Sequence, residues 1–330
     1  MSHKMALLLR VLVLFISILA SGLAFFTREA ESASYPTKPV TFIVPFPVGG
    51  RTDLTARIVA QHLEKHLGKP VVVVNKPGAG GVVGAKEVSS APPDGHTLGF
   101  FSSGVVTAQY TVPTPTDLKD YEPVSVVNFD PAALAIQEKS SWNTLVELVA
   151  YGKKNPGKIR IGMIPGASAQ IFAGGFAKAA GIQVTNVPFK GDADGALALA
   201  GGHIEAHVAV PVSYKALVDA KKVRILGIAA EKRSDLYKDI PTFRENGVDL
   251  VIGSFHAVFA PKGTPGEAIT ILEAALEKTM KEKEVNDQMM KSGLGLVYLN
   301  RRDGAAFIAQ QDATYKALIQ ELGMMVAPKK

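Results

Sequence analysis

Few residues in this chain have types and spacing that could do chemistry. His203, Glu205 and His207 alternate, so on one strand all three would point the same way, and two imidazoles with a carboxylate can ligate iron or zinc. Just after Gly201-Gly202 the trio also reads as the polar face of a strand entry, and that is the reading carried forward. His62 and His66 stand one turn apart near a predicted helix C-terminus, where the dipole favours cations. They are read as an exposed face. Asp53 sits at a predicted helix start, where it could serve as a general base or stabilise the helix dipole. The chain has no G-x-S-x-G elbow, no H-E-x-x-H and no Gly-Lys-Ser/Thr loop. It has no Cys, hence no thiolate nucleophile, disulfide or Cys-ligated metal. Gly78 to Gly84 follows a strand in G-x-G-x-x-x-G spacing, but no acidic residue ends the next strand, so a dinucleotide fingerprint is not met. The expectation is a site that binds without catalysing, and that uses no cofactor or metal.

What remains is a set of small-residue loops at strand ends. The most informative stretch runs from Phe42 to Asp53: an apolar strand, two prolines, Gly49-Gly50, then a helix with Leu54, Ile58, Val59, Leu63 and Leu67 at helical spacing and Gly68 as its stop. The first N–H groups of such a helix have no internal partner and carry partial positive charge, so a carboxylate or a phosphate would suit this place. Loops at 77–81, 102–104, 165–170 and 188–192 stand at further strand ends. In open α/β sheets ligands bind beyond the carboxyl ends of strands, so a ligand clasped between two domains is expected.

The elements that must position these loops alternate between strand and helix, which argues for an α/β class. Pro70 to Val74 reads as a strand buried on both faces, and Thr97 to Phe101 as another. Thr107 to Tyr121 is Pro/Thr-rich and reads as a surface connection. Val124 to Phe129 and Ala132 to Gln137 read as crossings into a second domain, and Trp142 to Lys154 as a helix. Ile159 to Met163, the loop beginning at Pro165 and the helix ending at Gly181 echo the opening unit. Val184 to Val187, Ile204 to Val210 and Val223 to Ala229 are strands, with a helix near Ser213 to Asp219. Leu250 to Ala260 returns to the first domain. Two amphipathic helices, Pro265 to Lys291 and Arg301 to Met324, follow. The 330 residues allow two domains, and the net charge of +6 is scattered without basic blocks, so nucleic acid is not an expected partner. Lys4 and Arg10 precede an apolar run from Val11 to Phe26, then small residues that permit cleavage after Ser32 or Ser34. That is a secretory signal peptide over residues 1–34, with an uncleaved membrane anchor as the alternative, and it points to a bacterial periplasm.

Several of these stretches carry a family likeness. Pro-Phe-x-x-Gly-Gly-x-x-Asp (45–53), Asn-x-Pro-Gly-Ala-Gly-Gly (75–81) and Pro-Asp-Gly-x-Thr-Leu (93–98) resemble the Bug family, the extracytoplasmic substrate-binding receptors of tripartite tricarboxylate transporters. The likeness continues through Asn155-Pro156-Gly157-Lys158, Val187-Pro188-Phe189-Lys190-Gly191, Lys232-Arg233-Ser234 with Pro241-Thr242, and Ala260-Pro261-Lys262-Gly263-Thr264-Pro265. It implies a type II periplasmic-binding-protein fold: two α/β lobes joined by two crossing strands, closing like a flytrap. Lobe one would comprise 35–131 plus 256–330, and lobe two 132–255. The resemblance places ligand contacts on Phe46, Val48, Gly49, Gly50 and Asp53, on Ala79 and Gly80, and on Ser102 and Ser103 of lobe one. On lobe two it places them on Gly166, Ala167, Ser168 and Gln170, and on Phe189, Lys190, Gly191 and Asp192. In amino-acid binders the residue matching Asp53 meets the amino group. Arg51 departs from the family's usual small residue, and either lends a cation or faces solvent. Gln170 replaces a common His, Phe189 a common Tyr, and Ser254-Phe255-His256 a Trp-containing segment. The implied activity is non-enzymatic: a monomer that captures a small organic carboxylate or acidic amino acid and presents it to the permease subunits of the transporter. A ligand-dependent sensor docking on a signalling partner is the alternative.

Overall fold

The structure, a computed structural model, describes residues 35–113, 117–164, 168–189, 191–233 and 235–326. The expected signal segment, residues 1–34, lies outside them, as do Gly166, Ala167 and Lys190. β1 (Val40–Val44) leads through the Pro/Gly loop to α1 (Arg51–Leu67), then β2 (Val71–Asn75), α2 (Val82–Ser89), β3 (Thr97–Ser102) and α3 (Ser103–Thr111). β1 pairs in parallel with β2 on one side and β3 on the other. Its period of two sorts the core. Val40, Phe42 and Val44 face a layer holding Ile58, Val59 and Leu63 of α1, while Ile43 joins the opposite layer with Ala85, Val88 and Phe101. Each large side chain buried this way contributes about 1.5–3 kcal/mol. α1 ends as its sequence implies: Gly68 adopts φ 67° and its N–H bonds the carbonyl of Glu64.

β4 (Tyr121–Pro131) is separated from β5 (Ala133–Gln137) by Ala132 alone, and there the chain leaves one sheet for the other. α4 (Leu145–Lys154), β6 (Ile159–Met163), α5 (Ser168–Ala180), β7 (Val184–Pro188), α6 (Asp192–Ala200), β8 (Ala206–Ala209), α7 (Lys215–Asp219) and β9 (Val223–Ile228) follow. They complete a second sheet of order β7-β6-β8-β5-β9. β10 (Gly253–Pro261) returns to the first sheet, which reads β2-β1-β3-β10-β4. In each sheet one strand, β10 or β5, runs against both of its neighbours. α8 (Gly266–Lys281), α9 (Lys283–Lys291) and α10 (Arg301–Glu321) follow. The two crossings are tied together: Ala132 N–H donates to Ile252 at 2.8 Å, Ile252 N–H to Ala229 at 3.1 Å, and Ala229 N–H to Ala132 at 2.7 Å. Two α/β lobes joined by two crossing strands form the flytrap architecture.

Several expectations change. Among the described residues β2 is an edge strand, paired with β1, and it is not buried on both faces, since Val72 is 47% exposed and Val73 and Val74 are half-buried. The stretch read as a surface connection from Thr107 begins inside α3, whose Val105, Val106, Thr107 and Ala108 are buried. Ser102 starts that helix by accepting the N–H of Gly104 at 3.2 Å. The helix expected over 265–291 breaks at Glu282, where ψ is 129°. The break sets the Glu282 carboxylate between His62 and His66, at 2.6 and 2.8 Å, so these histidines are not a free exposed face, and His62 is buried. Hydrogen bonds from His62 foremost, with those from His66 and Lys65, hold the Glu282 carboxyl down at about 2 against desolvation. The 203–207 trio does not share a strand face either. β8 starts only at Ala206, Glu205 is drawn to Arg160, and His207 turns into the core against Tyr214. Burial lowers His207 to about 4, which leaves it neutral at neutral pH.

Candidate ligand-binding cleft

Four helices begin at the seam between the lobes. α1 starts at Arg51, α3 at Ser103, α5 at Ser168 and α6 at Asp192, and these four residues line two adjoining cavities. Each helix start brings N–H groups without internal partners and a partial positive charge. The first cavity, about 240 Å³, is lined by Phe46, Gly80, Ser102, Ser103, Gly104, Thr107, Ala108, Thr111, Val112, Ser168 and Ser254, all of them uncharged. The second, about 200 Å³, is lined by Arg51, Ile164, Ser168, Ala169, Phe172, Asp192, Ala209, Val210 and Ser254. Ser168 and Ser254 belong to both, so the two form one cleft walled by both lobes.

Local sequence explains the walls. The ring of Phe46 lies so close to α3 that a Cβ on Gly104 would meet it at 3.1 Å. Asn75 fixes the loop by donating from Nδ2 to the Phe46 carbonyl at 3.0 Å. Gly80, at φ 66°, turns the 78–81 loop onto α3. Ser103 Oγ donates to Ser254 Oγ at 3.4 Å, which joins α3 to the returning strand β10.

Asp53 is used by its own loop. The carboxylate is 2% exposed and accepts from Gly49 N–H at 2.9 Å, Arg57 Nε at 3.0 Å and Asn75 Nδ2 at 3.0 Å. Burial pushes its pKa up, but Arg57, the Gly49 amide and Asn75 outweigh burial and hold the carboxyl below the usual range. It lines neither cavity; it folds residues 45–50 back over the start of α1.

Arg51 both lines the second cavity and forms an ion pair with Asp130 at the end of β4, whose side chain is 3% exposed. Asp130 also accepts the N–H of Gly295 at 2.6 Å. Burial pushes the Asp130 carboxyl up, with Arg51 and Gly295 pulling against it. Beside this pair runs a buried polar chain. Thr52 Oγ1 lies 3.2 Å from His256 Nε2, His256 Nδ1 lies 2.8 Å from Asn128 Oδ1, and Asn128 Nδ2 donates to the Gly295 carbonyl at 2.7 Å. Burial, and then the charge of Arg51, keep His256 neutral. Asp192 faces the cleft from lobe two. Burial pushes its carboxyl up, while the Ser213 hydroxyl at 3.4 Å and the charge of Arg51 draw it back.

Of the contacts expected from the sequence, the fold therefore gathers Phe46, Gly80, Ser102, Ser103, Ser168 and Asp192 around the cleft. Val48, Gly49, Gly50, Asp53, Ala79, Gln170, Phe189 and Gly191 line neither cavity. Phe189 packs edge-on against His207, with ring centroids 6.5 Å apart. Gly166, Ala167 and Lys190 are not among the described residues. Ser254, singled out in the sequence as part of a segment departing from the family, lines both cavities, whereas sequence reasoning missed Thr107 and the Asp130 partner of Arg51. The one signal for that partner was Asn128 and Asp130 standing in an otherwise apolar run, since a buried acid needs a counter-charge. Away from the cleft, His62, Glu282 and Glu284 come within ligating reach of one another, but the Lys65 ammonium already lies 3.4 Å from Glu282 and 3.9 Å from Glu284.

Comparison with known proteins adds to this geometry. The family model described as the tripartite tricarboxylate transporter family receptor (TctC) matches residues 55–324. Protein BugT of Bordetella pertussis is 30% identical over 326 residues, covering 97% of this chain and 98% of BugT. A TctC solute binding protein from Polaromonas has a similar structure, with TM-score 0.81, 32% identity, and coverage of 87% of this chain and all (100%) of that one. An R. palustris protein solved with adipate is 27% identical with TM-score 0.73, covering 90% of this chain and 100% of its own. MatC from Rhodopseudomonas palustris, with bound malate, is 25% identical with TM-score 0.69, covering 86% and 100%.

Proposed function

Since the chain belongs to the tripartite tricarboxylate transporter family of receptors, we propose that it is a periplasmic receptor that takes a small organic carboxylate into the interlobe cleft and delivers it to a permease of that transporter class. One observation carries the reading: four helix N-termini meet at one cleft whose first cavity is lined by hydroxyls and no charged side chain. A carboxylate leaving water needs several charge-assisted hydrogen bonds. Backbone N–H groups and serine hydroxyls fixed by packing provide them without ordering long side chains. The adipate and malate held by two similar proteins support an acid as the ligand. The leader-like residues 1–34 support export. We assign 35–131 plus 253–326 to lobe one and 132–252 to lobe two, because β10 is already in the first sheet from Gly253 rather than from residue 256, the boundary expected from the sequence, with closure turning on the crossings at Ala132 and Ile252.

The test is a thermal-shift screen of the purified protein against mono-, di- and tricarboxylates, aromatic acids and acidic amino acids. A ligand at one hundred times its Kd stabilises by about 2.7 kcal/mol, so a cognate acid raises Tm by several degrees. Ser103→Ala and Ser254→Ala each weaken that acid several-fold, as expected for one lost hydrogen bond. If no carboxylate raises Tm, or if both variants bind the hit as the parent does, the reading fails.

A further inference from the structure

The charges around the cleft do not balance. Among the described residues, Arg51 and Asp192 are the charged side chains that line it. Arg51 is already committed to Asp130. Among the described residues Asp192 forms no ion pair, its Oδ1 is buried with no hydrogen-bond partner, and its Oδ2 has the Ser213 hydroxyl at 3.4 Å, with the charge of Arg51 felt across the cavity. A buried carboxylate oxygen without a donor is costly, and a ligand that supplies the donor removes that cost. Burial holds the Asp192 carboxyl above its ordinary range, while its place as the first residue of α6, after Gly191, draws it back toward the ionised form that an ammonium would complete.

The asymmetry between the cavities says what kind of donor fits. The first offers the start of α3, Ser102, Ser103 and Thr107, a set that suits an anion. The second places a carboxylate across from it, and the two communicate past Ser168 and Ser254. We infer that the ligand is an amino carboxylate, whose acid group sits in the first cavity and whose ammonium pairs with Asp192 in the second. Asp192 is thereby the specificity-determining residue, in place of Asp53, whose oxygens are taken by Gly49, Arg57 and Asn75. This rests on the carboxylate-receptor reading and narrows it.

Calorimetry on the purified protein with matched pairs tests it: L-glutamate against glutarate, L-aspartate against succinate, and 4-aminobutyrate against butyrate. At least one amino member binds about tenfold or more tighter than its partner, the scale of one charge-assisted hydrogen bond. Asp192→Asn, nearly isosteric, abolishes that preference, read as the ratio of the amino and desamino affinities measured in the same variant. A desamino acid that binds as well as or better than its amino partner overturns the ammonium assignment and leaves the carboxylate receptor standing. A preference that survives Asp192→Asn overturns the role of Asp192. If no member of any pair binds, the amino-carboxylate inference falls, and the wider thermal-shift screen decides the carboxylate reading separately.

Discussion

Replacing Arg51 by alanine removes the counter-charge of a carboxylate that is 3% exposed and lies where β4 meets the interlobe crossing. Asp130 would keep the Gly295 N–H at 2.6 Å and the Asn128 amide, neither of which carries charge. Removing one partner of a buried ion pair costs about 3–5 kcal/mol. The Arg51 side chain is 30% exposed, so water already weakens the pair and the lower end, about 3 kcal/mol, is expected at neutral pH. That corresponds to a fall in Tm of about 6 °C or more. The deficit also depends on pH. Burial holds the Asp130 carboxyl above its ordinary range even with Arg51 present. Stability linked to a raised group is fully present below its unfolded pKa and is lost as pH rises through the folded value. Without Arg51 that folded value moves higher still, so the variant loses more than the parent as the carboxyl is forced to ionise. Urea titrations of the ligand-free proteins should therefore show a small difference near about pH 4.5 that widens toward about pH 8. Asp130→Asn in the Arg51→Ala background should recover most of the loss, because no charge then remains to be compensated. A deficit that does not vary with pH, or no recovery in the double variant, would mean that Arg51 acts through packing and not charge.

Two further substitutions probe the framework of the cleft. Asp53→Ala strips the acceptor from Gly49, Arg57 and Asn75 and should destabilise by about 2–3 kcal/mol. Because the Asp53 carboxyl lies below its usual range, its contribution is present above the ordinary carboxylate pKa and is lost as pH falls through the lowered value. The Asp53→Ala deficit therefore fades in acid, and an unchanged urea midpoint at neutral pH would refute this role. Gly253→Ala puts a Cβ 2.3 Å from the Asp130 carbonyl and 2.7 Å from Pro131 Cα, both backbone atoms. β10 must then shift away from β4 at the crossing, at a cost of about 3 kcal/mol. Parental stability in this variant, measured by urea titration, would show that the crossing is looser than this contact implies.

The α/β class, the unit from Phe42 to Gly68, the strand Ile159–Met163 and the return of β10 to the first sheet were legible from sequence, because hydrophobic period, prolines and glycines act over a few residues. So were the ends of several strands, since Pro/Gly punctuation marks them wherever they fall. What local pattern could not convey was pairing across long separations. Asp53 and Asp192 both stand at the first turn of a helix after a Gly-rich loop and look alike in the chain. The helix itself supplies Arg57 to the first at i,i+4, but only the fold brings Asn75 to it, and only the fold sets the second across a cleft from Arg51. Arg51 finds Asp130, His62 finds Glu282, and Ser103 finds Ser254 across 79, 220 and 151 residues. Whether a polar side chain is spent on structure or left for a ligand depends on the partners that tertiary packing delivers, because its cost in the interior is set by whether a donor or counter-charge lies within about 3 Å.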